Sequence, residues 1–197
     1  MSVLHPVLKL PPGAPVYDFS KPDDIRRAER EPYGIGRYDE RRTGMYESPL
    51  FTSGGRDVHV GIDLFAPVGT PVEAFDDGEV FLFAYNGERL DYGYTLITRH
   101  LHEGRELYAL FGHLSGRSLE GKLEGAKIAR GETIAWVGDR HENGGWTPHL
   151  HFQISFERPE KADMPGVVAL RDREDALRKY PDPRLVLGPI YPDRPRV

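Results

Sequence analysis

The chain has no cysteine, no excess of basic residues and no long hydrophobic run. Without cysteine it can form no disulfide and hold no metal through thiolates, so a metal site must be built from histidine and carboxylate side chains. The formal net charge of −5 at pH 7 argues against a nucleic-acid partner, because such proteins usually present a basic surface. No stretch approaches the roughly 18 apolar residues of a membrane span.

The first residues also lack the pattern of a secretory signal. The stretch MSVLHPVLKLPPGAPVYDF has no basic start followed by a long apolar run, and prolines interrupt its hydrophobic residues. The sequence therefore predicts no membrane span and a cytoplasmic location. It leaves the oligomeric state open.

Three segments differ in pattern, although 197 residues suit a single domain. Residues 1–50 form an N-terminal extension, expected to be mostly irregular with one short helix. Residues 51–157 alternate polar and apolar positions between glycine and proline turns, which predicts a β-domain. Residues 158–197 are expected to form a C-terminal helix, since Val168, Leu170 and Leu177 have helical apolar spacing, and a tail packed on the core. The predicted fold class is all-β, an antiparallel sheet or open β-sandwich, with an irregular N-terminal segment and a short C-terminal helix.

Two short polar motifs lie on predicted strands. HVGID places His59 and Asp63 four residues apart, and PHLHF places His149 and His151 two apart. Even spacing puts each pair on one face of its strand, while apolar residues fill the other face. A further histidine, His113, ends the strand of LYALFGHLS.

This set suits a catalytic metal site. Two histidines and one aspartate from neighbouring strands supply three ligands and leave the fourth position to water. Hydrolysis also needs a base and a group that stabilises the transition state. Of two histidines on one strand face, one can bind the metal while the other reaches the water. For His5, His100, His102 and His141 the ordinary interpretation, a surface or hydrogen-bonded histidine, is favoured.

Five sequence blocks resemble the lysostaphin/LytM-type zinc metallopeptidases. They occur in order across residues 57–156: HVGIDLFAPVGTPVEAFDDGEV, YGYTLITRH, LYALFGHLS, ARGETIAWVGD and TPHLHFQI. The resemblance implies one Zn²⁺ per chain, bound by His59, Asp63 and His151, with His113 and His149 acting on the water and the transition state. It also implies a zinc metalloendopeptidase that hydrolyses peptide or amide bonds, in peptidoglycan or in a small peptide.

Three aromatic residues are candidate substrate contacts. Tyr92 and Tyr94 resemble aromatics that line the cleft in relatives, with packing as an equal alternative. Trp146, beside the PHLHF motif, could narrow or floor a substrate groove.

Two alternatives to an active enzyme remain at this point. A non-catalytic binding or regulatory domain is one, although such relatives typically lose metal ligands and none is lost here. The other is a latent peptidase, in which an Asn, Asp or Glu from the segment RRTGMYESPLF fills the fourth metal position.

Overall fold

The computed structural model describes residues 4–43, 45–46, 49–52 and 54–192. The strands, in chain order, are β1 (Gly34–Gly36), β2 (Glu40–Arg41), β3 (Arg56–His59), β4 (Ile62–Phe65), β5 (Pro71–Glu73), β6 (Gly78–Asn86), β7 (Gly93–His102), β8 (Arg105–Leu114), β9 (Lys127–Ile128), β10 (Thr133–Trp136), β11 (His149–Ser155) and β12 (Val167–Ala169). The helices are α1 (Pro22–Ala28), α2 (Pro49–Thr52), α3 (Arg173–Lys179) and α4 (Arg184–Leu187), with 3₁₀ turns at Gly116–Leu119 and Leu170–Asp172.

An antiparallel sheet dominates the molecule, which confirms the predicted fold class. Over the described residues its order is β1-β4-β11-β8-β7-β6-β9, and its strand pairs are antiparallel. Two smaller sheets, β12-β3-β2 and β10-β5, extend it. Both metal motifs thus lie on strands that are neighbours in space, since β11 pairs directly with β4.

The long β7–β8 hairpin follows from local turn chemistry. Glu103 and Gly104 join the strands with φ values of 48° and 80°, and two successive positive φ angles are the signature of a type I′ turn. That turn matches the twist of the flanking strands and fixes their register.

Strand alternation decides which side chains form the core. Leu150, Phe152 and Ile154 of β11 are fully buried in the main hydrophobic cluster, together with Ile62 and Leu64 of β4. The intervening positions carry His149 and His151 on β11 and Asp63 on β4. The sheet therefore presents its polar motif residues on the face opposite this cluster. His59 is the last residue of β3, so HVGID is divided between two strands and does not lie on one strand as expected.

The N-terminal residues pack directly against the metal-motif strands. β1 pairs with β4 and β2 pairs with β3, while Tyr17 and Phe19 contact Phe65. The division of the chain at residue 50 stays a prediction. The strand pairing nevertheless links residues 34–41 to the strands that carry His59 and Asp63.

The C-terminal helix begins later than its apolar spacing suggests. Val167–Ala169 form β12 and pair with β3, and α3 starts at Arg173. Val167 and Val168 are β-branched and buried, and such residues favour a strand when a partner strand is available. Farther on, Val186 of α4 and Tyr191 join the main core. No described helix has the length and apolar character that crossing a bilayer requires.

Candidate metal centre and active site

Residues of the two polar motifs converge between β3, β4 and β11. His151 lies opposite Asp63 in the β11–β4 register. Asp63 Oδ1 lies 3.0 Å from His151 Nδ1 and 3.2 Å from His59 Nε2, and the two imidazole nitrogens are 3.1 Å apart. All three side chains are buried. The structure therefore brings together the three residues expected to bind metal.

Hydrogen bonds on the outer side of each ring fix its tautomer. His59 Nδ1 lies 2.8 Å from the Arg37 carbonyl oxygen, and His151 Nε2 lies 3.1 Å from Gln153 Oε1. A carbonyl oxygen can only accept, so these nitrogens carry the protons. In each neutral ring the nitrogen that faces Asp63 Oδ1 consequently carries a lone pair. These two nitrogens and the carboxylate oxygen are then three acceptors with no proton between them.

The spacing of these acceptors suits a divalent ion. Tetrahedral zinc, with bonds of about 2.0–2.1 Å to histidine nitrogen, places its ligands about 3.3 Å apart. The observed separations of 3.0, 3.1 and 3.2 Å are close to that value. Two histidines and one carboxylate are also a donor set that zinc accepts. The residues present therefore fit a zinc ion.

The electrostatics keep the donors in the forms that bind metal. Burial, aided by the Arg42 guanidinium, lowers the pKa of His59 to about 4. Burial acts to raise the pKa of Asp63, but the adjacent His59 and Arg42 side chains outweigh it and hold that pKa well below its usual range. At neutral pH Asp63 is therefore a carboxylate and His59 a neutral imidazole.

Two further histidines lie beside this cluster. His149 Nδ1 donates to the Thr147 carbonyl at 2.6 Å, and its Nε2 lies 3.7 Å from Asp63 Oδ1. His113 Nδ1 donates to the Asn143 carbonyl at 2.9 Å, and the two ring centroids are 4.3 Å apart. Burial lowers the pKa of each ring. Both rings are therefore neutral at pH 7, each with an Nε2 lone pair that can accept a proton.

Comparison with known proteins decides the family, because the model of peptidase family M23 matches residues 57–163, more than half of the chain. The chain belongs to peptidase family M23. It is 34% identical over 135 residues to the DD-carboxypeptidase/endopeptidase Mpg of Neisseria meningitidis serogroup B, a match that covers 61% of this chain and 28% of Mpg. It is 30% identical over 160 residues to the peptidoglycan DD-endopeptidase ShyC of Vibrio cholerae, covering 75% of this chain and 33% of ShyC.

Solved structures of the M23 type are also similar to this chain. The catalytic domain of lysostaphin from Staphylococcus simulans is 22% identical with a TM-score of 0.47, and the match covers 79% of this chain and 92% of that domain. A zinc-containing peptidase from Vibrio cholerae is 28% identical with a TM-score of 0.41, covering 50% of this chain and 27% of that one. The chain spans about a third or less of the length of the curated relatives named above.

The backbone at two positions, His113 and Gly61, also contributes to the geometry of the site. His113 has a φ of 66°, a left-handed conformation that non-glycine residues rarely adopt and that is often found at functional sites. Gly61 lies between His59 and Asp63, and a Cβ there would come within 2.4 Å of His151 Cε1. The absence of a side chain at residue 61 therefore makes room for the ring of His151.

A cavity of about 960 Å³ opens onto the cluster, and Tyr92, His113, Trp146 and the three metal-motif residues line it. Tyr92 is 8% exposed, and its hydroxyl donates to the Met164 carbonyl at 2.9 Å. Trp146 lies edge-on to His113, with ring centroids 6.1 Å apart. Tyr94 instead packs on Tyr85 and is not among the described residues that line the cavity.

The remaining histidines stay apart from this centre. His5 contacts Glu73 at 2.7 Å, and His100 is buried against Thr98 Oγ1 at 2.7 Å. None of the four histidines favoured as ordinary joins the possible metal ligands found among the described residues, which are His59, Asp63 and His151.

Two side chains at the site were not predicted from the sequence. Gln153 Oε1 accepts a hydrogen bond from His151 Nε2 and lies on the same face of β11, so the alternation of this strand already contained the signal. Arg42 donates from Nη1 to Asp63 Oδ2 at 2.7 Å. In the sequence Arg42 sits in a charged run beside Arg41, and nothing there distinguishes the two.

The residue expected to block a latent site is not seen. No acidic side chain of the described N-terminal residues belongs to the possible ligand cluster. Glu47, the acidic residue of the segment RRTGMYESPLF, lies outside the described residues.

Proposed function

We propose that this chain is a zinc-dependent metalloendopeptidase that binds one Zn²⁺ through His59, Asp63 and His151. The observation that carries the proposal is the arrangement of three inward-facing acceptors, 3.0–3.2 Å apart, whose outer hydrogen bonds leave no proton for the space between them. Such acceptors repel one another until a cation lies among them. Membership of peptidase family M23 supports zinc as that cation.

The two other histidines divide the proton work of hydrolysis. A zinc ion at this site supplies Lewis acidity, which polarises the scissile carbonyl and acidifies water. His149, whose Nε2 lies 3.7 Å from Asp63 Oδ1, accepts the proton of the attacking water and returns it to the leaving amine. His113 presents an Nε2 lone pair too, so it stabilises negative charge on the carbonyl oxygen only when it carries a second proton. The two rings, 4.3 Å apart, therefore act as a pair.

The proposed substrate is a peptide derived from peptidoglycan. The names of the relatives Mpg and ShyC specify DD-carboxypeptidase/endopeptidase and peptidoglycan DD-endopeptidase activities. The cavity of about 960 Å³ is of a size that accommodates a peptide rather than a single amino acid. Trp146 and Tyr92, which line it, are proposed to contact the peptide, whereas Tyr94 packs on Tyr85.

The decisive experiment combines metal analysis with an assay on purified cross-linked muropeptides and on a glycine-rich peptide. The wild-type protein is expected to bind one zinc per chain and to cleave the muropeptides, with activity lost on chelation and restored by zinc. His141→Ala is the control, because His141 is an exposed histidine of the loop before β11. Cleavage that survives both chelation and His149→Ala would refute the assignment.

The same measurements test the alternatives. If the chain is a non-catalytic domain, the purified protein should carry no zinc and should bind peptide without cleaving it. A latent peptidase predicts zinc in the wild-type protein together with a rate that rises when the N-terminal segment is cut away.

A further inference from the structure

A buried arginine from the N-terminal segment contacts the proposed zinc ligands from behind. The Arg42 side chain is 2% exposed although it precedes the family-matched region, which begins at residue 57. Its Nη1 donates to Asp63 Oδ2 at 2.7 Å, and its Nε donates to Glu40 Oε2 at 3.1 Å. One planar guanidinium therefore bridges two buried carboxylates, a geometry that lysine cannot reproduce.

The same side chain reaches the surroundings of a second ligand. Arg42 Nη2 contacts the Arg37 carbonyl at 3.4 Å, and that carbonyl accepts the Nδ1 proton of His59 at 2.8 Å. Arg42 Nη1 also donates to the Tyr46 hydroxyl at 3.1 Å. Several partners thus hold the guanidinium in place. One of them is Asp63 itself, and another, the Arg37 carbonyl, also accepts a hydrogen bond from His59.

The backbone around the pair is fitted to it. Gly36 of β1 lies opposite Asp63 in the β1–β4 register. A Cβ at this glycine would lie 2.9 Å from both Arg42 Nη2 and Asp63 Oδ2, which is closer than real Cβ contacts allow. Phe19 covers the guanidinium, with Arg42 Cζ 4.7 Å from the ring centroid. Because Gly36 has no side chain, β1 and Phe19 can pack directly against the Arg42–Asp63 ion pair and exclude water from it.

We propose that Arg42 is a positioning residue for the zinc site: it holds Asp63 by its Oδ2 so that Oδ1 faces the two histidines. The inference rests on the proposed function, since it assigns Asp63 as a zinc ligand. It places part of the metal site in residues 34–46, upstream of the family-matched region. Partners of this kind orient the ligands, and their removal typically weakens metal affinity by about 10–100-fold.

The test measures zinc affinity in the full chain by competition with a chromophoric chelator, with circular dichroism to check the fold. Arg42→Lys keeps the charge and loses the bridge, and we expect its zinc Kd to rise by about 10–100-fold. Arg41→Lys is the matched control, because Arg41 is adjacent but exposed and pairs with Asp57 at 2.8 Å. Its zinc Kd should equal that of the wild type. Cobalt-substituted Arg42→Lys should also show an altered ligand-field spectrum.

The outcomes separate this inference from the proposed function. A wild-type protein that binds no zinc would overturn both. A wild-type protein that binds zinc, with an Arg42→Lys variant that binds it equally or more tightly, overturns the inference alone, because Arg42→Lys keeps the positive charge and removes only the bridge. If Arg42→Lys does not fold, Glu40→Gln tests the same bridge at its other anchor. An unchanged zinc Kd in Glu40→Gln then overturns the inference.

Discussion

Replacing Gly61 with alanine tests whether the zinc site depends on space left by an absent side chain. A Cβ at residue 61 would lie 2.4 Å from His151 Cε1 and 2.5 Å from Nε2, whereas carbon atoms in contact lie about 3.5–4.0 Å apart. The ring must therefore move by about 1 Å. It has little freedom to do so, because the ring is buried and its Nε2 donates to Gln153 Oε1 at 3.1 Å.

The size of the effect follows from this displacement. Metal–ligand distances tolerate only about 0.2 Å, so a shift of the ring by about 1 Å removes one of three ligands. We expect the zinc Kd of Gly61→Ala to rise by at least about 100-fold, or about 3 kcal/mol in binding free energy. Overpacking should also lower the free energy of unfolding of the metal-free protein by about 1–3 kcal/mol.

The assay is chelator competition for zinc, paired with urea unfolding of the metal-free protein. Gly54→Ala is the control, because the nearest atom to a Cβ at Gly54 is 3.5 Å away, an ordinary contact. Neither glycine has a positive φ, so the two substitutions differ in space alone. If Gly61→Ala binds zinc as tightly as Gly54→Ala does, the ring of His151 is not where zinc binding requires it, and the reasoning fails.

Three further experiments test the proton-transfer role of His149, the protonation of His59 and the contribution of the N-terminal residues to folding. His149→Gln should keep its zinc by elemental analysis while kcat falls by about 10²–10⁴-fold, and loss of the zinc would contradict the assignment of His149 as a base. The metal-free protein should lose at least about 2 kcal/mol of unfolding free energy between pH 7.5 and pH 5, measured by urea titration. The lowering of the His59 pKa from 6.5 to about 4 accounts for that amount, because the unfolded chain takes up the proton first, and the lowered pKa values of His113 and His149 act in the same direction. The low pKa of Asp63 acts only below its ordinary value of 3.8, outside this window, so a stability that stays flat or rises as the pH falls would refute the prediction. Deleting residues 1–45 removes β1, β2 and Arg42, and it should lower both the thermal midpoint and the zinc affinity in calorimetry and competition; a faster, still folded enzyme would instead favour latency.

Local patterns predicted the parts of the site that strand geometry controls. The even spacing in PHLHF placed His149 and His151 on one face of β11, because side-chain direction alternates along a strand. The Glu103–Gly104 turn likewise needs no long-range information. HVGID instead divides between β3 and β4, which belong to different sheets. The positions of His59, Asp63 and His151 relative to one another depend in addition on the β4–β11 register, which the resemblance to lysostaphin/LytM-type peptidases implied.

Alternation along the strand did not distinguish the role of Tyr92 from that of Tyr94. They are two residues apart and were expected to share a role, yet Tyr92 lines the cavity and Tyr94 packs on Tyr85. The reason is that Gly93, between them, has a φ of 65°. Alternation holds only within an extended strand, and a left-handed residue interrupts it.

Long-range ion pairs and competing strand partners lay outside the reach of local patterns. Arg42 meets Asp63 across 21 residues, and only the folded sheet brings them together. Val168 and Leu170 fit a helical spacing with Leu177, but β3 offered Val167–Ala169 a partner. The buried strand β12 therefore formed where the sequence spacing indicated the first turn of a helix.

The left-handed backbone of His113 has a consequence for engineering this scaffold. An L-residue in that conformation is disfavoured by about 1–2 kcal/mol, a penalty that glycine escapes. A library sorted by heat resistance alone would therefore drift toward glycine at residue 113 and lose the side chain that is proposed to stabilise the transition state. Directed evolution of a hardier enzyme on this framework has to score catalysis in every round.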